Sequence, residues 1–171
     1  MNDVKKAVMT NWRWVMCAML FFATTVNYMD RQVLSLTFKE FIQPEFHWTD
    51  SDYGTITGVF SIAYAIFCLF AGKFIDWMGT KKGYLIAIVV WSLGAVMHAG
   101  CGWVTEQIVG VADKAALLEA TGAIVSTISM VSVWLFLVCR LILGLGEAGN
   151  FPAAIKVTAE YFPKKDRAFA T

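Results

Sequence analysis

Residues 138–152 read VCRLILGLGEAGNFP. Arg140 and Glu147 stand in this run among Leu, Ile, Gly and Ala, where neither charge has water to ionise into. Seven residues at about 100° each bring a helix almost back to its starting angle. Both heads therefore leave one face, about 10 Å apart along the axis. Gly144, Gly146, Ala148 and Gly149 leave the surface around them nearly bare, open to close approach by a neighbouring backbone or a ligand. Two readings follow: a polar functional cavity at membrane depth, or a structural ion pair locking two helices.

The composition places this stretch in lipid. Mean hydropathy is +0.59, with 58% hydrophobic and only 16% charged residues, far from the balance of a soluble domain. The expected class is an all-α, polytopic membrane helical bundle with the lipid bilayer as partner. A net charge of +1 and the lack of a basic tract give no reason to expect nucleic acid. Cys17, Cys68, Cys101 and Cys139 are widely spaced and form no CxxC pattern. They read as small buried hydrophobes, so neither a metal site nor a cofactor is expected. The first apolar run is too long for a cleaved signal peptide and lacks a small-residue cleavage site.

Four spans are expected, at about 14–36, 53–75, 84–103 and 129–161. A loop over 39–52 carries Pro44. In the segment 104–122, DKAALLEATG predicts a short capped surface helix stopped by Gly122. Pro152 predicts a kink in the last span. Segment 1–13 has three Lys/Arg against one acid, 73–82 three against one, and 156–167 four against two. The links differ: 39–52 has one Lys against four acids, and 105–122 one against three. Positive flanks stay in the cytoplasm, so the N-terminus is expected inside the plasma (inner) membrane. Trp12, Trp14, Trp48, Tyr53, Trp77, Tyr84, Trp103 and Tyr161 fall near span ends, as interfacial aromatics do.

Of the 27 formal charges, four remain once these flanks and links are removed: Asp30, Arg31, Arg140 and Glu147. They lie at overlapping depths on two antiparallel spans, which points to one shared site. A dry carboxyl group is pushed toward its neutral form and a nearby Arg pulls it back, so such an acid loads and releases protons. Fully ionised, the four charges cancel. A carboxylate ligand makes the set net negative, and protonating Asp30 or Glu147 restores neutrality. Protonation also frees an arginine for the bidentate fork that recognises carboxylates. The set predicts symport of an organic anion with H⁺, the coupling ion.

Asn27, Tyr28 and Tyr64 surround these charges as hydroxyl-binding candidates, or as partners in helix–helix hydrogen bonds. At the turn after the second span, Asp76 is unfavourable with its own helix dipole and is expected to find a partner elsewhere. Gly72 and Gly79 are expected to allow close approach and the tight turn, and Lys81 and Lys82 to hold the inside orientation.

GKFIDWMGTKK resembles the motif between the second and third helices of the major facilitator superfamily. NYMDR, together with RLILGLGEAGNFPAAIKVTAEYFPKKDRA, resembles its anion:cation symporter family, which includes bacterial hexuronate and galactonate transporters. The resemblance implies that Asp30 and Glu147 couple protons, and that Arg31, Tyr28 and Tyr64 contact substrate. It implies further that Arg140 pairs with the acid of its own helix beside the substrate, and that Asp76 belongs to a cytoplasmic gate. Trp77 and Thr80 depart from the gate motif, which usually carries basic residues there, and 104–122 is an insertion. The family has twelve spans in two six-helix halves, so this chain is expected to be the N-terminal part of one half, with the remainder of the transporter elsewhere. By the same resemblance the substrate is a sugar acid such as a hexuronate. The competing class is a non-transporting membrane protein, either a sensor on a carrier fold or an oligomeric four-span unit. An enzyme is not expected, because no nucleophile–base or metal set accompanies the acids.

Overall fold

The computed structural model describes residues 2–170, with side chains for 12–168 and 170. Lys5 and Lys6 of the basic flank fall outside the described side chains. The order is α1 (Asn2–Thr37), a π-helical turn (Phe38–Ile42), α2 (Gln43–Phe46), α3 (Asp50–Met78), α4 (Thr80–Val109), α5 (Lys114–Leu118), α6 (Ala123–Glu147), α7 (Asn150–Tyr161) and α8 (Arg167–Ala170). Among the described residues there is no strand.

Among the described residues, three helical stretches are long and apolar enough to cross a membrane: Asp50–Met78, Thr80–Val109 and Ala123–Tyr161. The stretch expected at 14–36 lies on α1 but is not among them. Thr24, Thr25, Asn27, Asp30 and Arg31 crowd two turns of it.

Close packing centres on α4 and α6, the most extensive helix pair. A Cβ on Gly94 would lie 2.6 Å from the Leu143 backbone nitrogen, and one on Gly146 would meet the backbone of Trp91 and Ala87. A Cβ on Gly149 would lie 2.8 Å from that of Ala87. These glycines let two backbones touch, which is how helices associate where lipid removes the hydrophobic drive. Gly72 does not share this role: a Cβ there would meet nothing within 4 Å. Gly79, with φ of 79°, makes the tight turn between α3 and α4.

The apolar core gathers at the α2–α5 end. Phe38, Phe46, Trp48, Leu117, Ile128 and Phe136 are all buried there. The stretch 39–52, expected as a loop, is mostly helical. Phe38, Ile42 and Phe46 recur at helical spacing, and Pro44 sits in the first turn of α2, where its missing N–H costs nothing. Trp48 is not interfacial. It packs edge-on against Phe136 with centroids 4.9 Å apart, and its Nε1 donates to Ser132 Oγ at 2.8 Å. Tyr53 likewise stacks on Phe38 at 4.4 Å. Trp12, Trp77 and Trp103 do remain exposed.

Two stop signals fall elsewhere than expected. α4 runs on to Val109 and ends at Gly110, with φ of 78°. α5 begins at Asp113, whose side chain accepts from Ala116 N at 2.9 Å, but it ends by Glu119, and Gly122 precedes α6 instead of closing α5. Nor is α5 purely superficial, since Leu117 is fully buried. The last span breaks at Ala148–Gly149, just before Pro152. A proline ring collides with the carbonyl four residues earlier, here that of Ala148, so the break lies one turn upstream.

Gly146→Val and Gly94→Val are therefore expected to cost about 3 kcal/mol or more, since backbone cannot yield as a side chain does. Gly72→Ala should be neutral or gain roughly 0.5–1 kcal/mol. Thermal unfolding in detergent reads both; equal melting for the three variants would contradict the packing.

Candidate functional site

On α1, Asn27 and Leu34 are buried and mark the inward face, and Asp30 and Arg31 lie along it. On α6, Phe136, Arg140, Leu143 and Glu147 form the facing stripe, all buried. The helices run antiparallel: Trp14 meets Phe162, Thr24 meets Asn150, and Arg31 meets Glu147. The four charges within the spans come together by this register.

Arg31 Nε donates to Glu147 Oε2 at 3.0 Å, with Glu147 fully enclosed and Arg31 a quarter exposed. Three rings surround the guanidinium. Its carbon lies 4.0 Å from the centroid of Tyr64 and 6.0 Å from those of Tyr28 and Phe60. Arg140 shares Phe60, with its guanidinium carbon 5.6 Å from the ring centroid. A small chamber of about 50 Å³ lies between the two arginines, lined also by Tyr53 and Thr57.

The expected pairing of Arg140 with Glu147 within one helix does not occur as a direct ion pair. Glu147 turns to α1, and Arg140 opens into a larger cavity of about 460 Å³ that it shares with Asp30 and His98. Two turns of helix separate Arg140 from Glu147, too far for direct contact, while α1 comes within reach. Asp30 is oriented by Trp91 of α4, whose Nε1 donates to Oδ2 at 2.8 Å.

Several buried polar atoms have no hydrogen-bond partner among the described residues: Glu147 Oε1, Arg31 Nη2, Arg140 Nε and both amide atoms of Asn27. Unmatched buried donors are costly, and each arginine carries one. Tyr28 is half exposed and meets Phe151 edge-on. Asn27 sits one turn from Arg31 but makes no bond to it. No group of His, Cys, Asp or Glu among the described residues is arranged to hold a metal ion.

At the Gly79 end, Asp76 does find a partner, and it is on this chain. Lys156 Nζ of α7 donates to its Oδ1 at 2.8 Å and reaches the Ile75 carbonyl at 3.4 Å. The partner that its own helix dipole denies it is a lysine from α7. Thr80 donates to Glu160 Oε1 at 2.7 Å, and Lys81 and Lys82 are exposed. Deeper in, Tyr84 donates to Asn150, whose amide donates to Thr24 at 3.3 Å, tying α4, α7 and α1.

Trp91, Phe60, Tyr53 and His98 were not singled out from sequence as members of the site. A tryptophan or histidine within an apolar run was the available signal, but the run alone does not say which charge it faces.

The family model of the Major Facilitator Superfamily matches residues 20–171. A probable galactarate/D-glucarate transporter of Pseudomonas putida is 32% identical over 95% of this chain and 30% of its own length. A probable galactarate/D-glucarate transporter of Escherichia coli K12 is 30% identical over 99% of the chain and 32% of its length. The hexuronate transporter of Escherichia coli K12 is 28% identical over 92% of the chain and 30% of its length. The chain thus spans about a third of the length of these curated relatives, all named as transporters and not as enzymes. No solved structure matches it significantly.

Removing one partner of a buried ion pair strands the other. Arg31→Met alone is expected to destabilise by up to about 3 kcal/mol, the low end for buried pairs because Arg31 keeps some exposure. Adding Glu147→Leu should recover most of that loss. Unfolding of the single and double variants in detergent tests this, and additive losses would show that the pair is not coupled.

Proposed function

The chain belongs to the Major Facilitator Superfamily, and on that premise we propose that it forms part of a proton-coupled symporter for a sugar acid. The Arg31–Glu147 contact at 3.0 Å carries the reading. While Glu147 is ionised it occupies the guanidinium, and protonation releases that fork to a substrate carboxylate. Arg140 supplies a second cation across Phe60, and its Nε has no partner among the described residues. Two acids and two bases sum to zero, so an incoming anion is balanced at least cost when H⁺ enters with it.

Tyr28, Tyr64 and Asn27 supply hydroxyl-binding groups around the arginines. The relatives' names cover galactarate/D-glucarate, galacturonate and hexuronate, which share carboxylates on a polyhydroxylated carbon chain. A hexuronate is our assignment. No cofactor enters the reading beyond the coupling ion.

The chain is read as the first four spans of a six-helix half, multi-pass in the inner membrane with its N-terminus cytoplasmic. The charge bias of its flanks supports that orientation. The remainder of the carrier would furnish the opposite wall of the site. Asp76, with Gly79, Lys81 and Lys82, belongs to the inside gate in this reading, and Lys156 is its latch within the chain.

The full-length protein in proteoliposomes should take up labelled hexuronate faster when the outside is acidic. Glu147→Gln is expected to reduce gradient-driven uptake at least about tenfold while counterflow of preloaded substrate survives better. Arg31→Lys should raise the substrate KM by about tenfold, since an ammonium cannot form the planar fork. If Glu147→Gln and Asp30→Asn both left gradient-driven uptake intact, the proton assignment would be wrong.

A further inference from the structure

Two features remain outside this scheme, a histidine on α4 and the segment 104–122, and both meet at the larger cavity. His98 Nδ1 lies 2.7 Å from the carbonyl oxygen of Gly94. A carbonyl only accepts, so Nδ1 carries the hydrogen and Nε2 of the neutral ring presents a lone pair. Nε2 is buried and has no partner among the described residues. The ring lines the cavity of about 460 Å³ that Asp30 and Arg140 also line. Phe136 braces it edge-on, with centroids 5.6 Å apart.

The charged groups lining this cavity come from four elements: Asp30 of α1, Glu45 of α2, Lys114 of α5 and Arg140 of α6. Two of each sign leave the set balanced, so a proton added at Nε2 enters no strong net field. Two turns before His98 on α4, Trp91 holds Asp30 by its Oδ2. One helix therefore carries a proton-accepting ring and also orients a carboxylate that opens into the same cavity.

We propose that His98 relays protons between the α2–α5 end of the cavity and Asp30. A hydronium ion in the cavity gives its proton to the Nε2 lone pair and leaves as water. The imidazolium then releases that proton from Nε2, through intervening water, to the Asp30 carboxylate. The ring returns to its neutral form with hydrogen on Nδ1, and Asp30 is left as the neutral acid. A cavity of this size has room for on the order of fifteen waters at about 30 Å³ each.

The inserted segment gains a place in this scheme. α5 brings Lys114 Nζ to 2.6 Å from Glu45 Oε2 at the cavity rim. His47 Nε2 donates to the Leu117 carbonyl at 2.8 Å and fastens α5 to the end of α2. Through Lys114 the segment thus forms part of the lining of the cavity that holds His98.

The relay rests on the proton-coupling reading of Asp30, and two measurements on the full-length protein separate the two. In proteoliposomes, His98→Gln and His98→Asn should lower gradient-driven hexuronate uptake about tenfold more than exchange, with an altered pH profile. Wild-type rates and an unchanged profile in both variants would remove His98 from the path while leaving Asp30 and Glu147 in it. In ¹⁵N spectra of the purified protein, Asp30→Asn should move the pH midpoint at which Nε2 takes its proton by about half a unit or more. An unmoved midpoint sinks the relay whatever the transport assay shows. A wild-type protein whose uptake ignores the gradient overturns the symport reading, and the relay to a coupling acid falls with it.

Discussion

Arg31 and Glu147 meet across two helices, each the other's counter-charge where little water reaches. α1 makes few backbone approaches to α6; its packing partners are α7 and the π-helical turn. Its middle meets the bundle through the buried Leu34 and through directed polar contacts, among them Arg31 to Glu147 and Asp30 to Trp91. Such contacts depend on protonation and ligation in a way that apolar packing does not. The helix most sensitive to the charge of the site is thus the one held by that charge.

α4 and α6 are joined in the opposite manner. Gly94, Gly146 and Gly149 bring backbone against backbone or methyl, with no charge in the contact. Close packing of this kind is indifferent to pH and intolerant of any added atom. A rigid pair therefore presents Arg140, Glu147, Trp91 and His98 as a fixed surface, against which α1 is positioned by electrostatics.

The two ends of the bundle differ in the same sense. At the α2–α5 end, aromatic side chains from the π-helical turn to α6 make a buried core with its one tryptophan N–H satisfied by Ser132. At the Gly79 end, the ties are Lys156 to Asp76, Thr80 to Glu160 and Arg13 to Asp166, all partly or largely exposed. Exposed polar ties are each worth little and part at small cost, whereas a buried aromatic core does not.

The membrane class, the helical content and the four buried charges were legible in the chain itself, because lipid admits few charges and each stands out against an apolar run. Their gathering into one region was also legible, from matching depths and the antiparallel sense of two spans. Which base meets which acid was not. Arg140 and Glu147 share a helix face, and only the approach of α1 decides that Arg31 takes the carboxylate while Arg140 turns to the cavity with Asp30. The helical course of 38–46 and the burial of Trp48 were likewise hidden, since local spacing shows amphipathicity without naming the surface it covers. Sequence determines which groups need partners in a medium without water; the register and separation of helices, set by where glycines let backbones touch, decides who those partners are.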